Sequence, residues 1–280
     1  MAPSTLDLIR KLFGHKFPRW GSLGYKWFLR QRPDRITTEL FPGVRLSLDL
    51  NDDAQRTFYY YGDRYEFPTG SVLASWCSGA SLFFDIGANL GFFSLLLRSK
   101  CIPIRIIAFE PNPLVNGRLK QIIEENQLSD ITVENFGLSN LKAVLPLHPG
   151  QENDGQSTFG QHPLLSKLTV AHAEVLPFDS YCDLRGIKLP DKPEWVAKID
   201  VEGFDLKVLE GMSRALEHKA FKGIAVEVNE FNLSFCEASA EKLRKFLTAR
   251  NYRQLTRDEL PKGHTSTDNE FYVPDAQRPN

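Results

Sequence analysis

The stretch from Phe83 to Arg98 reads FFDIGANLGFFSLLLR, and the rest of the chain is arranged around it. A short apolar run ends at Asp85, a turn bearing Gly87, Ala88, Asn89 and Gly91 follows, and an apolar helix-forming segment begins at once. Strand, glycine turn and helix in that order form the unit that holds nucleotides in parallel α/β sheets. Glycine suits such a turn because it bends without a Cβ clash and lets a ligand come close to the backbone. The spacing is G-x-x-x-G, so neither G-x-G-x-x-G nor the lysine-bearing loop G-x-x-x-x-G-K-[ST] is present. With an acid ahead of the first glycine and no lysine after the last, the turn suits a neutral or cationic adenosine-type ligand better than an anionic polyphosphate. Taken alone, it also fits a plain tight turn of any α/β domain.

Working outward, strands alternate with helices. Leu82–Ile86 leads to a helix over Leu90–Ser99, and Ile104–Phe109 ends at Glu110-Pro111-Asn112 before a helix over Leu114–Asn126. A strand over Ile131–Asn135 ends at Phe136-Gly137-Leu138, Trp195–Ile199 leads into Asp200-Val201-Glu202-Gly203 with a helix from Phe204, and Gly223–Val228 precedes a helix over Ala238–Arg250. This alternation predicts a mostly parallel sheet. The closing runs YRQLT and EFYVP read as an antiparallel hairpin. Five α/β units followed by such a hairpin are the layout of a class I, Rossmann-like methyltransferase sheet.

Three further parts complete the organisation: an appendage over residues 1–70, a methyltransferase-like domain over 71–275 and a tail over 276–280. Within the appendage, residues 1–35 interleave eight Lys or Arg with Trp20, Tyr25, Trp27 and Phe28 against Asp7 and Asp34, a pattern that fits a helix packed on the domain or a peripheral membrane contact. TTELFPGVRLSLDL over Thr37–Leu50 predicts a small hairpin around Pro42-Gly43, and the stretch after it, with Phe58, Tyr59, Tyr60, Tyr61 and Tyr65, reads as helix, turn, helix. These aromatics fit either a substrate wall or core packing. Residues 141–180 read as a β-rich insertion around the polar loop GQENDGQSTFGQHP, which fits either an element that moves over the acceptor or a plain surface loop.

The formal net charge of −1 argues against nucleic-acid binding, which shows as a basic excess. Cys77, Cys101, Cys182 and Cys236 lack C-x-x-C pairing, which fits reduced thiols rather than zinc. No apolar run reaches the roughly 18 residues of a spanning helix, and the N-terminus lacks a signal pattern, so the expected location is cytoplasmic.

Polar or glycine residues fall at successive strand ends: Asp85, Glu110, Gly137, Asp200 with Glu202, and Glu227 with Asn229. Ligands of doubly wound sheets sit there. Glu110 follows Gly91 by 19 residues and ends the second strand, where an acid accepts hydrogen bonds from ribose hydroxyls. Its alternative is a helix N-terminal acid, with Pro111 and Pro113 stopping the strand.

FDIGANLGFFSLLL, IIAFEPNP, FGLS, LPFDSY, VAKIDVEGFDLKVLEG and IAVEVNE, in that order from about Tyr65 to Tyr252, together resemble the FkbM-type methyltransferases. The resemblance implies a class I fold that binds S-adenosylmethionine and methylates an oxygen on a sugar, polyketide or other polyhydroxylated small-molecule or glycan acceptor. It implies Asp85, Gly87, Ala88, Asn89 and Gly91 around the cofactor's amino-acid part, Glu110 with Pro111 and Asn112 at the ribose, Gly137 and Leu138 at the adenine, and Lys198, Asp200, Glu202 and Gly203 at the active-site turn. One departure is Leu176-Pro177-Phe178-Asp179, of which Asp179 alone matches.

The chemistry asks for the same residues. A sulfonium methyl is already activated, so the protein aligns the reacting atoms, and an alcohol acceptor needs a positioned base. Asp200 is the expected base or acceptor-orienting group, tuned by Glu202 and Lys198, all three pointing to one side if the strand runs on through K-I-D-V-E. A magnesium site from Asp200, Glu202 and Glu227 or Asn229, and a merely salt-bridged strand end, are the alternatives, and no metal is expected. Two other functions stay open: a nicotinamide oxidoreductase, disfavoured by the incomplete glycine pattern, and a non-catalytic adenosine-ligand binder, disfavoured by the Asp200/Glu202 pair. Neither the acceptor nor the oligomeric state is legible.

Overall fold

Leu82–Ile86 is buried at every position, so this unalternating apolar run lies at the centre of a sheet covered on both faces. The computed structural model describes residues 33–62, 65–100, 102–148, 157–160, 171–261 and 269–275. In chain order come the strands β1 (Arg35–Phe41) and β2 (Val44–Asp49), helices α1 (Asp53–Tyr61) and α2 (Phe67–Cys77), then β3 (Leu82–Ile86), α3 (Phe92–Ser99), β4 (Arg105–Phe109), α4 (Pro113–Glu125) and β5 (Ile131–Glu134). Three short strands follow, β6 (Gly137–Leu138), β7 (Ala143–Leu147) and β8 (Ala171–Leu176), then α5 (Phe178–Arg185), β9 (Trp195–Ile199), α6 (Asp205–Gly211) and α7 (Ser213–Glu217). The chain closes with β10 (Phe221–Glu227), α8 (Glu230–Ser234), α9 (Ala240–Ala249), β11 (Tyr252–Gln254) and β12 (Asn269–Pro274).

The main sheet has the order β11-β12-β10-β9-β3-β4-β5. From β5 to β10 the strands are parallel, and β12 inserts antiparallel between β10 and β11. This is the class I methyltransferase arrangement. One face buries Phe83, Ile106, Val196, Ala225 and Phe271 under α2 and α3. The other buries Phe84, Ile107, Ala197, Ile224 and Tyr272 under α5, α6 and α9. Each of the Phe, Ile and Val side chains is worth about 1.5–3 kcal/mol on burial, so these two layers hold the sheet edges that present the site.

The β1–β2 hairpin turns at Pro42-Gly43 as its pattern indicated. Phe58, Tyr59 and Tyr60 are buried, and Phe58 and Tyr65 each place a ring 4.9 Å from Phe92, so these aromatics serve core packing. β6, β8 and β7 form a small separate sheet within the middle segment. The basic-aromatic stretch before Pro33 and most of the polar loop from 149 to 170 lie outside the described residues. Among the described residues, no helix is long and apolar enough to cross a membrane, and Cys77, Cys182 and Cys236 are free and buried.

Two boundaries differ instructively from the sequence reading. The helix after the glycine turn starts at Phe92, not Leu90, because Asn89 (φ 51°) and Gly91 (φ 76°) hold left-handed backbone. β9 ends at Ile199 rather than running through K-I-D-V-E. The Asp200 N–H still donates to the Ile86 carbonyl at 3.0 Å, but Glu202 (φ 53°) and Gly203 (φ 95°) then turn the chain away. Glu202 therefore leaves the strand and cannot share a strand face with Lys198 and Asp200.

Candidate active site

The β3–α3 turn is stitched to the end of β4. The Phe109 carbonyl accepts from the Gly87 and Ala88 N–H groups at 3.1 and 2.9 Å. Gly87 has φ 78°, and a Cβ there would lie 1.9 Å from the Asp200 carbonyl oxygen, so β3 and β9 approach as closely as they do because this position has no side chain. The buried Glu110 carboxylate accepts from the Asn89 N–H through Oε2 at 2.9 Å and from the Asn112 N–H through Oε1 at 2.8 Å. It thus ties the two βα turns together. Asn112 caps α4 with its Oδ1 and reaches Ser157 Oγ with its Nδ2 at 3.2 Å.

These turns open on one cleft at the C-terminal ends of the strands. Gly87, Asn89, Glu110, Pro111, Gly137, Leu138, Asp200 and Glu202 all line it. Asp85, Ala88, Gly91, Asn112 and Lys198 sit one layer behind, each buried. The polar loop contributes Ser157 and Phe159 to the wall. Phe159 packs 5.3 Å from Phe204 and would touch a Cβ at Gly137, so an aromatic plate stands over the Gly137-Leu138 edge.

Behind the wall, Lys198 Nζ pairs with Asp200 Oδ2 at 2.8 Å and lies 4.8 Å from the centre of the Phe93 ring. The Lys198 side chain is 5% exposed and that of Asp200 24%, so the carboxylate meets the cleft while the ammonium stays behind it. Burial opposes the Lys198 charge, but Asp200, Asp85 and Glu66 outweigh it and hold Lys198 protonated above its usual range. Asp85, register partner of Lys198 on β3, accepts from the Ser94 N–H and hydroxyl at 3.2 and 2.6 Å. Burial pushes its carboxyl up, against Lys198 and the Ser94 bonds.

The turn after β9 is held by Asp205, which had no role in the sequence reading beyond its place in the motif. Its carboxylate accepts from the Val201 and Gly203 N–H groups at 3.3 and 3.1 Å. Glu202 accepts from Asn232 Nδ2 at 2.7 Å, and its carbonyl accepts from the Thr158 hydroxyl at 2.8 Å. Burial, then the Asp200 charge, pushes Asp205 up to about 7. Burial, then Asp200 and Asp205, pushes Glu202 up to about 8, against Lys198 and the Asn232 amide. Glu227 rises to about 11 by burial and the same neighbouring carboxylates. Among the described residues, no three His, Cys, Asp or Glu side chains are placed to share one ion.

Of the residues the sequence reading passed over, Asp205 had a signal, an acid in the first turn of a helix. Glu66 and Asn269, hydrogen-bonded to each other at 3.2 Å across 203 residues, had none. Asp179 has a structural place, accepting from the Arg214 and Ala215 N–H groups at 2.7 and 3.1 Å where α7 begins.

The Methyltransferase FkbM domain model matches residues 85–254, which span the glycine turn, Glu110 and the Asp200 turn. The chain belongs to the FkbM methyltransferase family. "Methyltransferase 1" of Beauveria bassiana is 27% identical over 146 residues, covering 47% of this FkbM-family chain and 58% of that protein. "Methyltransferase sdnD" of Sordaria araneosa is 29% identical over 171 residues, covering 52% and 65%. "Hexuronic acid methyltransferase AglP" of Haloferax volcanii is 26% identical over 148 residues, covering 53% and 56%. The chain thus spans less than two thirds of the length of these curated relatives. The crystal structure of a methyltransferase FkbM from Methylobacillus flagellatus KT aligns with 18% identity and a TM-score of 0.44, covering 70% of this chain and 44% of that one.

Proposed function

We propose that this chain transfers a methyl group from S-adenosylmethionine to a hydroxyl oxygen of a polyhydroxylated small molecule or glycan. The observation that carries the reading is the single cleft in which the Gly87–Asn89 turn, Glu110 and Gly137-Leu138 face the Lys198-backed Asp200. The residues fit the cofactor. Asn89 Oδ1 is buried with no partner, an acceptor suited to a ligand ammonium. The Glu110 carboxylate, fixed by the Asn89 and Asn112 N–H groups, stands on the cleft wall where an acid meets ribose hydroxyls. Phe159 and Leu138 offer an apolar wall to the adenine.

When bound, S-adenosylmethionine supplies a methyl group on a positively charged sulfur. The protein's part is to align the acceptor oxygen with it and to remove the hydroxyl proton as the oxygen–carbon bond forms. Asp200 takes that proton. Lys198 holds the carboxylate through Oδ2, and Asp205 holds the turn from which Glu202 reaches the cleft. The names of the relatives, one a hexuronic acid methyltransferase, support a polyhydroxylated acceptor.

The test pairs calorimetry with a transfer assay. S-adenosylhomocysteine should bind and NAD should not. Radiolabelled methyl should pass from S-adenosylmethionine into one fraction of a cell extract, and Asp200→Asn should abolish this while keeping S-adenosylhomocysteine affinity. Near-normal incorporation by Asp200→Asn would remove Asp200 as the base.

A further inference from the structure

The strand register carries Asn269, from outside the 85–254 segment, to a place beside Glu227 in the row that runs on from the cleft. Lys198 pairs with Asp85 on one side and Ala225 on the other, and Ala225 lies opposite Phe271. Paired residues share a face of the sheet, as do residues two apart along a strand. One step toward the strand ends is therefore a second row, Gly87, Asp200, Glu227 and Asn269, with Glu227 directly opposite Asn269. Gly87 and Asp200 line the cleft, and Glu227 and Asn269 extend the row beyond them.

Glu227 Oε2 and Asn269 Oδ1 are both buried and have no hydrogen-bond partner, although their strands are adjacent. Asn269 is only 9% exposed, so bulk solvent does not reach it freely. Its Nδ2 is committed to Glu66 Oε2. Glu66 itself is held in left-handed backbone (φ 44°) at the start of α2, a conformation a non-glycine residue keeps only where its surroundings impose it. Buried polar atoms left unpaired in a native structure call for an explanation, and a bound group is one.

We propose that Glu227 and Asn269, braced by Glu66, form the acceptor-positioning subsite, and that it takes a neutral hydroxyl-bearing unit and rejects one with a carboxylate beside the reacting hydroxyl. This rests on the methyl-transfer reading above. A hydroxyl both donates and accepts. For a hydroxyl next to the reacting one, whose own proton goes to Asp200, Asn269 Oδ1 accepts the hydrogen, and Glu227, which burial and the neighbouring carboxylates keep protonated, donates to the oxygen. Among the described residues, the cation that offsets Glu66, Glu202 and Glu227 is Lys198, already paired with Asp200, and a further carboxylate would find no second counter-charge among them.

The experiment extends the transfer assay. The methyl-labelled product from the extract is hydrolysed in acid, and the labelled unit is passed over an anion exchanger. The proposal expects the label in the flow-through, and a retained, carboxylate-bearing unit overturns it. In parallel, Asn269→Ala should raise the amount of active fraction needed for half-maximal incorporation about tenfold or more, the loss of one well-placed hydrogen bond. Its S-adenosylhomocysteine affinity should match the parent, and an unchanged half-saturation point overturns the subsite. If Asn269→Ala fails to bind S-adenosylhomocysteine through misfolding, Asn269→Ser, a smaller loss of volume, answers the same question. Failure of the parent protein to label any fraction would instead remove the methyl-transfer reading, and this proposal with it.

Discussion

Replacing Gly87 with Ala places a methyl group 1.9 Å from the Asp200 carbonyl oxygen, 2.9 Å from its carbon and 3.1 Å from Val201 Cγ1. The atoms it meets first are backbone, so no side chain can swing aside. Relief requires β3 and the end of β9 to part by about 1 Å, which breaks the Asp200 N–H to Ile86 carbonyl bond. The left-handed φ costs a non-glycine residue about 1–2 kcal/mol, and the lost hydrogen bond about 0.5–1.5 kcal/mol. The sum is on the order of 3 kcal/mol, or roughly 6–12 °C in melting temperature for a chain of this size. Asp200 moves with the strand end, and a misplacement of about 1 Å costs on the order of 100-fold in rate. Thermal unfolding by circular dichroism reads the first effect, and the methyl-transfer assay the second. Gly117→Ala is the matched control: it lies in the exposed interior of α4, and its added Cβ meets nothing within 4 Å. That substitution should stabilise by about 0.5–1 kcal/mol. A Gly87→Ala protein that melts within about 2 °C of the parent, with unchanged S-adenosylhomocysteine affinity, would refute the close-approach argument.

Other outcomes follow from the same geometry. Glu110→Ala leaves the Asn89 and Asn112 N–H groups without their acceptor and should weaken S-adenosylhomocysteine binding more than about tenfold by calorimetry, whereas a change under about threefold would show that Glu110 is only a turn brace. The ligand-free protein should lose stability as pH rises from 5 to 7. Asp205 and Glu202 have folded pKa values near 7 and 8, above their ordinary 3.8 and 4.5, so between those values the folded state holds more protons than the unfolded one. Their stabilisation is complete below the ordinary values and is lost as pH climbs toward the folded ones, at no more than about 1.4 kcal/mol per pH unit for each group. Melting temperatures across that range should fall by several degrees and fall less in Asp205→Asn, and a flat or rising profile would contradict the crowding of carboxyl groups around Asp200.

Much of the lining of the cleft was legible along the chain. Asp85, Gly87, Glu110, Gly137 and Asp200 each end a short apolar run, and strand ends in a parallel sheet all face one edge. The boundary errors have local causes: left-handed Asn89 and Gly91 delay α3, and left-handed Glu202 and Gly203 end β9 early. Lys198 was expected beside Asp200, and the two are paired. Its second partner, Asp85, is set by the register of β3 against β9, which apolar runs do not specify.

Periodicity and spacing along the chain were enough for the α/β alternation, the antiparallel closing strand and the glycine turn that lines the cleft, because each depends on residues close together in the chain. The meeting of Glu66, Glu227 and Asn269 beside Asp200 depends instead on β12 inserting between β10 and β11 and on α2 packing over the sheet. Those contacts join residues about two hundred positions apart. Side-chain partners across strands are chosen by register and packing, and no local pattern of hydrophobicity or spacing encodes them.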